Sequence, residues 1–532
     1  MHMPTRQPNI LFIMTDQQRF DCLGVNGNPI IHTPNLDRLA RSGVDVKKYY
    51  VNAPVCVPSR CTLFTGRYPH ATRIRQNFCM LERGREIHLF RALKHEGYSL
   101  GYIGKNHLLE DEEWQNFDYT DVWGYDHEMS PEETKTQEFA QGRMKPMVER
   151  GAWAGATFHD FPLETTRPYV KADSAIRFLK GHRGQETSED RCPFCLTLSF
   201  SDPHAPHIAP RKFESVYPLD TLTPYPTREG ELQEKAARFG IKYLAQQADQ
   251  ATDEDKRRFM AVYYAMISWV DEQIGRVLDT LDDLGLREDT IVVFTSDHGE
   301  FCFEHDMVKK DLVLLESLLH VPFLVSWAGT IPAGTVDDTF TEEVDVVPTL
   351  LESVGAQVPF GVQGKSVLPI LMGQGGAGDS DGTSDRVTVR HKDAVFAESC
   401  PPWLYNPFES FETFREDWEA NHDTHFPFNI PGDYNKAVRD DRFRYIWYGT
   451  GEEELYDLEA DPREQHNVAA DQEYRQAKLE MKCRLLEWNI MTEDPLCPKT
   501  VRMLQKQYPD WIGKEDIGGN DRIPGDLTRI LR

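Results

Sequence analysis

Ala53-Pro54-Val55-Cys56-Val57-Pro58-Ser59-Arg60-Cys61-Thr62-Leu63-Phe64-Thr65-Gly66-Arg67 carries the densest information in this chain. Pro58 suits the first turn of a helix, where its missing N–H costs nothing. Gly66 suits the position just past a helix end. Together they predict a helix that begins at Cys56. Free N–H groups and the positive dipole end would then favour an anion beside that cysteine. Arg60 stands one turn further on and is expected to face the same pocket. A nucleophile at such a helix start, with an arginine beside it, suits attack on a sulfate or phosphate ester. A lone cysteine in this place would read as a buried structural residue; the surrounding pattern argues for chemistry.

Outward from this stretch, apolar β-branched runs at 9–15, 98–103, 195–201, 290–296 and 321–327 alternate with helical patterns. That alternation predicts an α/β fold with a large, mostly parallel central sheet flanked by helices. Helix 34–42 has Thr33 as cap, Pro34 at its first position and Gly43 as stop. In a long helix over 254–285, Met260, Tyr263, Tyr264, Ile267, Val270, Ile274, Val277 and Leu278 recur at helical spacing, which reads as a core-packing face. The Gly-, Ser- and Asp-rich stretch 373–385 reads as a linker. It divides a catalytic domain, 1–385, from a smaller C-terminal α+β subdomain, 386–491, with strands at 393–399 and 441–448 and a helix at 471–491. Residues 492–532 form a polar tail in which Trp511-Ile512 is apolar enough to suggest contact with a partner subunit.

Ligands bind beyond the carboxyl ends of strands in open parallel sheets. Four polar clusters follow four of the strands here: Asp16-Gln17, Lys105-Asn106-His107, Asp202-Pro203-His204-Ala205-Pro206-His207, and Asp297-His298-Gly299-Glu300. Their convergence on one sheet edge is expected. Asp16, Gln17, Asp297 and His298 offer two carboxylates, an amide oxygen and an imidazole, a set suited to one divalent cation.

The 532 residues suffice for one large domain and a smaller one, and 40% hydrophobic content supports a substantial core. A net charge of −27 argues against nucleic acid and anionic membranes as partners. Attraction for an anionic substrate must therefore come from a few local cations. The apolar run 9–14 is too short to span a membrane and ends in Asp16, so it reads as a core strand, and the cytoplasm is the expected compartment. Ten cysteines make no disulfide framework at this length. Cys192 and Cys195 read as buried strand cysteines, with no second CxxC to complete a zinc site.

Cys56-x-Pro58-Ser59-Arg60 followed by Thr65-Gly66-Arg67 resembles the signature of the formylglycine sulfatases of the alkaline phosphatase superfamily. The piece Glu454-Leu455-Tyr456-Asp457-Leu458, with Asp461-Pro462 and Asn467, resembles their small C-terminal domain. The resemblance implies that a formylglycine-generating enzyme oxidises Cys56 to an aldehyde whose hydrate is the nucleophile. It also implies a divalent ion held by Asp16, Gln17, Cys56, Asp297 and His298. Typical members carry Asp-Asp and Asp-Asn at the two metal motifs, with calcium. Gln17 and His298 depart from that pattern, move the preference from Ca2+ toward Mn2+ or Zn2+, and look like the phosphonate monoester hydrolases of the superfamily. Lys105 and His107 resemble a Gly-Lys-Trp-His element, with Asn106 in place of Trp; there Lys105 steadies the hydrated aldehyde and His107 takes a proton from its second hydroxyl. His204 matches Pro-His-x-Pro and would protonate the leaving group, with a pKa suited to acid work near neutrality. Lys310 matches the substrate-binding lysine by its spacing from His305 and Glu316, although Lys309 is adjacent. Asn77 resembles a substrate-contacting asparagine of the phosphonate hydrolases, and by itself reads more readily as a turn residue.

The implied activity is hydrolysis of small-molecule sulfate esters, arylsulfatase-like, by a homo-oligomer. Phosphonate monoester or phosphodiester hydrolysis is the alternative, and a non-catalytic binding protein the third reading. Trp153, Trp403 and Phe408 are candidates for an aromatic leaving-group pocket.

Overall fold

The computed structural model describes residues 7–507 apart from 78–79, 82–83, 124–128, 152, 186–191, 237, 241–242, 244–245, 311–312, 374–390 and 400–433. Trp403, Phe408, most of the expected linker and the tail beyond 507 lie outside the described residues.

Eight strands build the main sheet: β1 (Asn9–Asp16), β2 (Val44–Val46), β3 (Ser99–Gly104), β4 (Tyr119–Val122), β5 (Phe194–Pro203), β6 (Thr290–Ser296), β7 (Phe323–Ser326) and β8 (Thr335–Asp337). Their spatial order is β8-β2-β7-β6-β1-β5-β3-β4. Every pairing is parallel except the two made by β7. β1 is central: Ile10–Met14 pair with Cys195–Ser199 on one side, and Asn9–Thr15 with Thr290–Ser296 on the other. All eight of its residues are buried.

Side chains of a strand alternate between faces, and β1 feeds two layers accordingly. Ile10, Phe12 and Met14 join a cluster with Cys61 and Phe64 of α2 (Cys56–Thr65) and Val347 and Leu351 of α5 (Val346–Ser353). Leu11 and Ile13 face the other way. They meet Leu36 and Leu39 of α1 (Pro34–Arg41), Ala175 and Leu179 of α3 (Arg167–Gln185), and Ile274 and Val277 of α4 (Asp253–Asp283). The helical stripe read at 254–285 is thus core, and α4 starts with a Thr252–Asp255 capping box.

A second sheet, four strands and antiparallel throughout, runs β9 (Val395–Ser399), β10 (Asn435–Arg439), β11 (Phe443–Tyr448) and β12 (Glu453–Asp457) in chain order. Helix α6 (Arg475–Met491) covers it through Met481, Leu485 and Trp488. Asn52, in the loop before α2, holds β9 of this sheet: its Nδ2 donates to the Phe396 carbonyl at 2.7 Å and its own carbonyl accepts from the Glu398 N–H at 2.9 Å.

Two expectations are corrected. Cys195 is buried in β5, but Cys192 precedes the strand and is exposed. Trp153 is 4% exposed and packs in a core layer with Phe259 and Tyr263 rather than standing out into solvent. No helix among the described residues is long and apolar enough to cross a membrane.

Candidate active site

The order β6-β1-β5-β3 makes the four strands with polar ends immediate neighbours. All four run the same way. Asp297, Asp16, His204 and Lys105 therefore emerge along one edge. Helix α2 begins at Cys56 over that edge, and Gly66 ends it at φ 66°, the left-handed conformation that favours glycine.

Cys56 Sγ lies 3.0 Å from Lys310 Nζ, 3.2 Å from His298 Nε2, 3.6 Å from Lys105 Nζ and 3.8 Å from Asp16 Oδ1. Burial and Asp16 work to raise the Cys56 thiol; Lys105, Lys310 and His298 outweigh them and hold it well below the usual thiol range. Burial likewise opposes ionisation of Asp16, but Lys105, His204 and Lys310 keep its carboxyl well below the usual carboxylate range. Lys310 also donates to Gln17 Oε1 at 3.1 Å. Lys309 instead turns through a left-handed backbone (φ 63°) and gives its N–H to Glu300, so Lys310 is the lysine at the site.

The ligand atoms of Asp16, Cys56, Asp297 and His298 all lie within 4.8 Å of one another, and all four residues are buried. His298 Nδ1 faces the Gly299 carbonyl at 3.0 Å, which leaves Nε2 pointing at the cluster as a metal-binding nitrogen would. Burial and the neighbouring Asp16 charge push the Asp297 carboxyl up. Two buried carboxylates, a thiol and an imidazole in this space fit a divalent cation, which would remove that charge conflict. Gln17 sits at φ 74° beside them; its backbone N–H donates to Asp297 Oδ1 at 3.1 Å and its amide nitrogen to Glu300.

Arg60 does not open onto a pocket as expected from helical spacing. It is fully buried, and its guanidinium donates to Asp297 Oδ2 (2.8 Å), Asp16 Oδ2 (3.2 Å), Ser199 Oγ (2.8 Å) and the Lys105 carbonyl (3.1 Å). It braces both carboxylates from behind. Asn77 accepts a hydrogen bond from the Val57 N–H at 3.0 Å, so its carbamoyl group caps α2 from outside the helix. His107 follows Lys105 in a left-handed conformation (φ 52°), with Nδ1 buried and without a hydrogen-bond partner.

His204 departs from the sequence expectation in its acidity. Burial and the charge of Lys310 push its pKa well below the usual histidine range. Its Nδ1 faces the Ala205 carbonyl at 2.8 Å. Sequence reasoning placed Glu300 in the Asp297 cluster without a role, and it bonds Gln17. It missed Ser199 and Glu343, which bond Arg60 and Ser59 and carry no local motif; only the fold brings them in.

A buried cysteine at a helix start stands with two carboxylates, an imidazole and two lysines around it, on an alkaline phosphatase-like fold. The family model described as Sulfatase matches residues 8–356, and the chain belongs to the sulfatase family. It is 27% identical over 483 residues to the choline-sulfatase of Rhizobium meliloti (strain 1021), covering 88% of this chain and 83% of that one. It is 26% identical over 528 residues to the multifunctional alkaline phosphatase superfamily protein PehA of Trinickia caryophylli, covering 91% and 96%. Among solved structures, the phosphonate monoester hydrolase of Agrobacterium radiobacter superposes with a TM-score of 0.69 at 26% identity, covering 91% of this chain and 96% of that one.

Proposed function

We propose that this protein hydrolyses sulfate esters with a nucleophile made from Cys56. The observation that carries the reading is the Cys56 side chain at the first turn of α2, between Lys310 at 3.0 Å and His298 at 3.2 Å. A sulfuryl group in transfer needs donors for its oxygens, and charge stabilisation of that kind is worth several kcal/mol, ~3 or more, in a water-poor site. Lys105 and Lys310 are the cations beside Cys56, Lys105 paired with Asp16 and Lys310 bonded to Gln17, while Arg60 is held by the two carboxylates.

In this reading a formylglycine-generating enzyme converts Cys56 to the aldehyde, and Asp16, Gln17, Asp297 and His298 join residue 56 in holding one divalent ion. That ion, when bound, supplies positive charge for the attacking and transferred oxygens; the mixed oxygen and nitrogen donors suit Mn2+, with Zn2+ compatible and Ca2+ the ion of the all-oxygen pattern. Lys105 steadies the nucleophile. His204 hands a proton to the departing oxygen, aided by Lys310. His107, with its free Nδ1, takes the proton whose removal restores the aldehyde.

Phosphonate monoester or phosphodiester hydrolysis by the same centre is the second reading. Gln17 and His298 favour it, because they replace a carboxylate and an amide with the pair seen in that class. Protein made with the modifying enzyme and offered an aryl sulfate and an aryl phosphonate monoester ranks the two by kcat/KM. Peptide mass spectrometry tests the premise: the peptide carrying residue 56 should be about 18 Da lighter than the thiol form. An unmodified thiol in active protein, or unchanged turnover in Cys56→Ala, overturns both readings.

A further inference from the structure

A pocket open to solvent lies beside His204. Ser201, Asp202 and His204 bring one wall from the end of β5; Trp123, Gln137 and Arg167 bring the other. His204 follows Pro203, which pairs with Asp16 across β5 and β1, so it borders both the cysteine-centred cluster and this pocket. A group leaving past His204 therefore departs toward this pocket.

The pocket's cation is Arg167. Its guanidinium lies 4.6 Å above the Trp123 ring and donates one hydrogen bond, to Gln137. Among the described residues no carboxylate comes within ion-pair distance of it; Asp202 attracts it from further off. Lys171, the next cation on Trp123, is already paired with Asp121 at 2.6 Å. A planar guanidinium fixed on one side by an indole and an amide keeps its remaining N–H groups in the fork that matches an oxyanion. Burial disfavours its charge when alone, so a second anion in the pocket satisfies both donors and charge.

We infer that this pocket receives the leaving group, and that Arg167 selects esters whose alcohol or phenol carries a second oxyanion, a carboxylate or a further sulfate. The inference rests on the reading of His204 as the residue on the leaving-group side. The test compares phenyl sulfate with 4-carboxyphenyl sulfate, using modified wild type, Arg167→Met and Arg167→Lys. Wild type should prefer the carboxylate-bearing ester by about 10-fold or more in kcat/KM, the size of one charge-assisted pair. Arg167→Met should abolish that preference while changing the neutral ester by less than about 2-fold, and Arg167→Lys should fall between. Equal losses on both esters, with an unchanged thermal melt, or no preference in wild type, overturn the inference. Calorimetry with phenol and 4-hydroxybenzoate reads the pocket without turnover. If neither ester is hydrolysed, the proposed function fails, while tighter binding of 4-hydroxybenzoate by wild type alone still upholds the pocket; equal binding by wild type and Arg167→Met refutes it.

Discussion

The hydroxyl of Ser59 stands between the backbone carbonyl of Asp297 and the carboxyl of Glu343, within hydrogen-bond reach of both. A hydroxyl has one hydrogen, and a carbonyl only accepts. Both contacts are satisfied only if Ser59 donates to Asp297 and Glu343 donates to Ser59, so Glu343 carries a proton. Its surroundings agree: burial pushes its carboxyl well above the usual range, against the pull of the Asn52 N–H.

That proton makes stability depend on pH. Above the unfolded value of 4.5 the unfolded chain has released it and the folded chain still holds it. Stability therefore falls with rising pH by up to about 1.4 kcal/mol per unit until the folded pKa is passed. Glu343→Gln keeps a neutral donor and removes the slope. Urea melts from pH 5 to 8 should show the variant gaining on wild type as pH rises, while Glu343→Ala lies about 1–3 kcal/mol below Glu343→Gln at every pH by leaving the buried Asn52 N–H without its acceptor. A constant difference between wild type and Glu343→Gln would refute the protonated acid.

Asp16 and Asp297 share one space with Cys56 and His298, and burial with Asp16 raises Asp297. Chelation should therefore lower the thermal midpoint as well as activity. Return of the competent ion at about 100 times its Kd should restore about 2.7 kcal/mol. Differential scanning calorimetry with Mn2+, Ca2+ and Zn2+ added separately identifies the resident ion by the largest shift. A midpoint indifferent to chelator, with no metal in the purified protein, would remove the cation from the site.

The four clusters at one edge were legible because each follows a continuous apolar run, and a buried parallel strand reads that way along the chain. The short strands β2, β4 and β8 were not, since runs of three or four residues acquire strand character only from their neighbours. The reversed sense of β7 leaves no trace in its own residues, because either direction buries the same side chains. Helical spacing placed Arg60 on the Cys56 side of α2, yet spacing says nothing of what faces it, and two carboxylates from other strands claimed it. The acidity of His204 was out of reach for the same reason: Lys310 is distant in sequence and near in space.

Asn77 was read as a substrate contact or a turn residue, and the Val57 N–H now gives it a capping role. Loss of a cap costs about 1 kcal/mol. Asn77→Ala should lower stability by that amount in denaturant melts, and Asn77→Asp, which keeps the acceptor, should not. If capping is its main contribution, KM for an aryl sulfate changes by less than about 3-fold in Asn77→Asp. A large rise in KM without loss of stability would return Asn77 to the substrate.

His204 is neutral in the free protein through the neutral range, because burial and Lys310 push its pKa well below the usual value. A general acid must be protonated when substrate arrives. If His204 supplies the proton, kcat/KM should fall about tenfold for each pH unit across neutrality, and His204→Gln should flatten that limb. The loss should also depend on the leaving group. Esters of poorly acidic alcohols need the proton and should lose about 10²-fold or more in His204→Gln, whereas a nitrophenyl sulfate, whose phenolate leaves unaided, should lose far less. An unchanged pH limb in the variant, with equal losses for both esters, would transfer the role to Lys310, whose Nζ stands 3.0 Å from Cys56 Sγ.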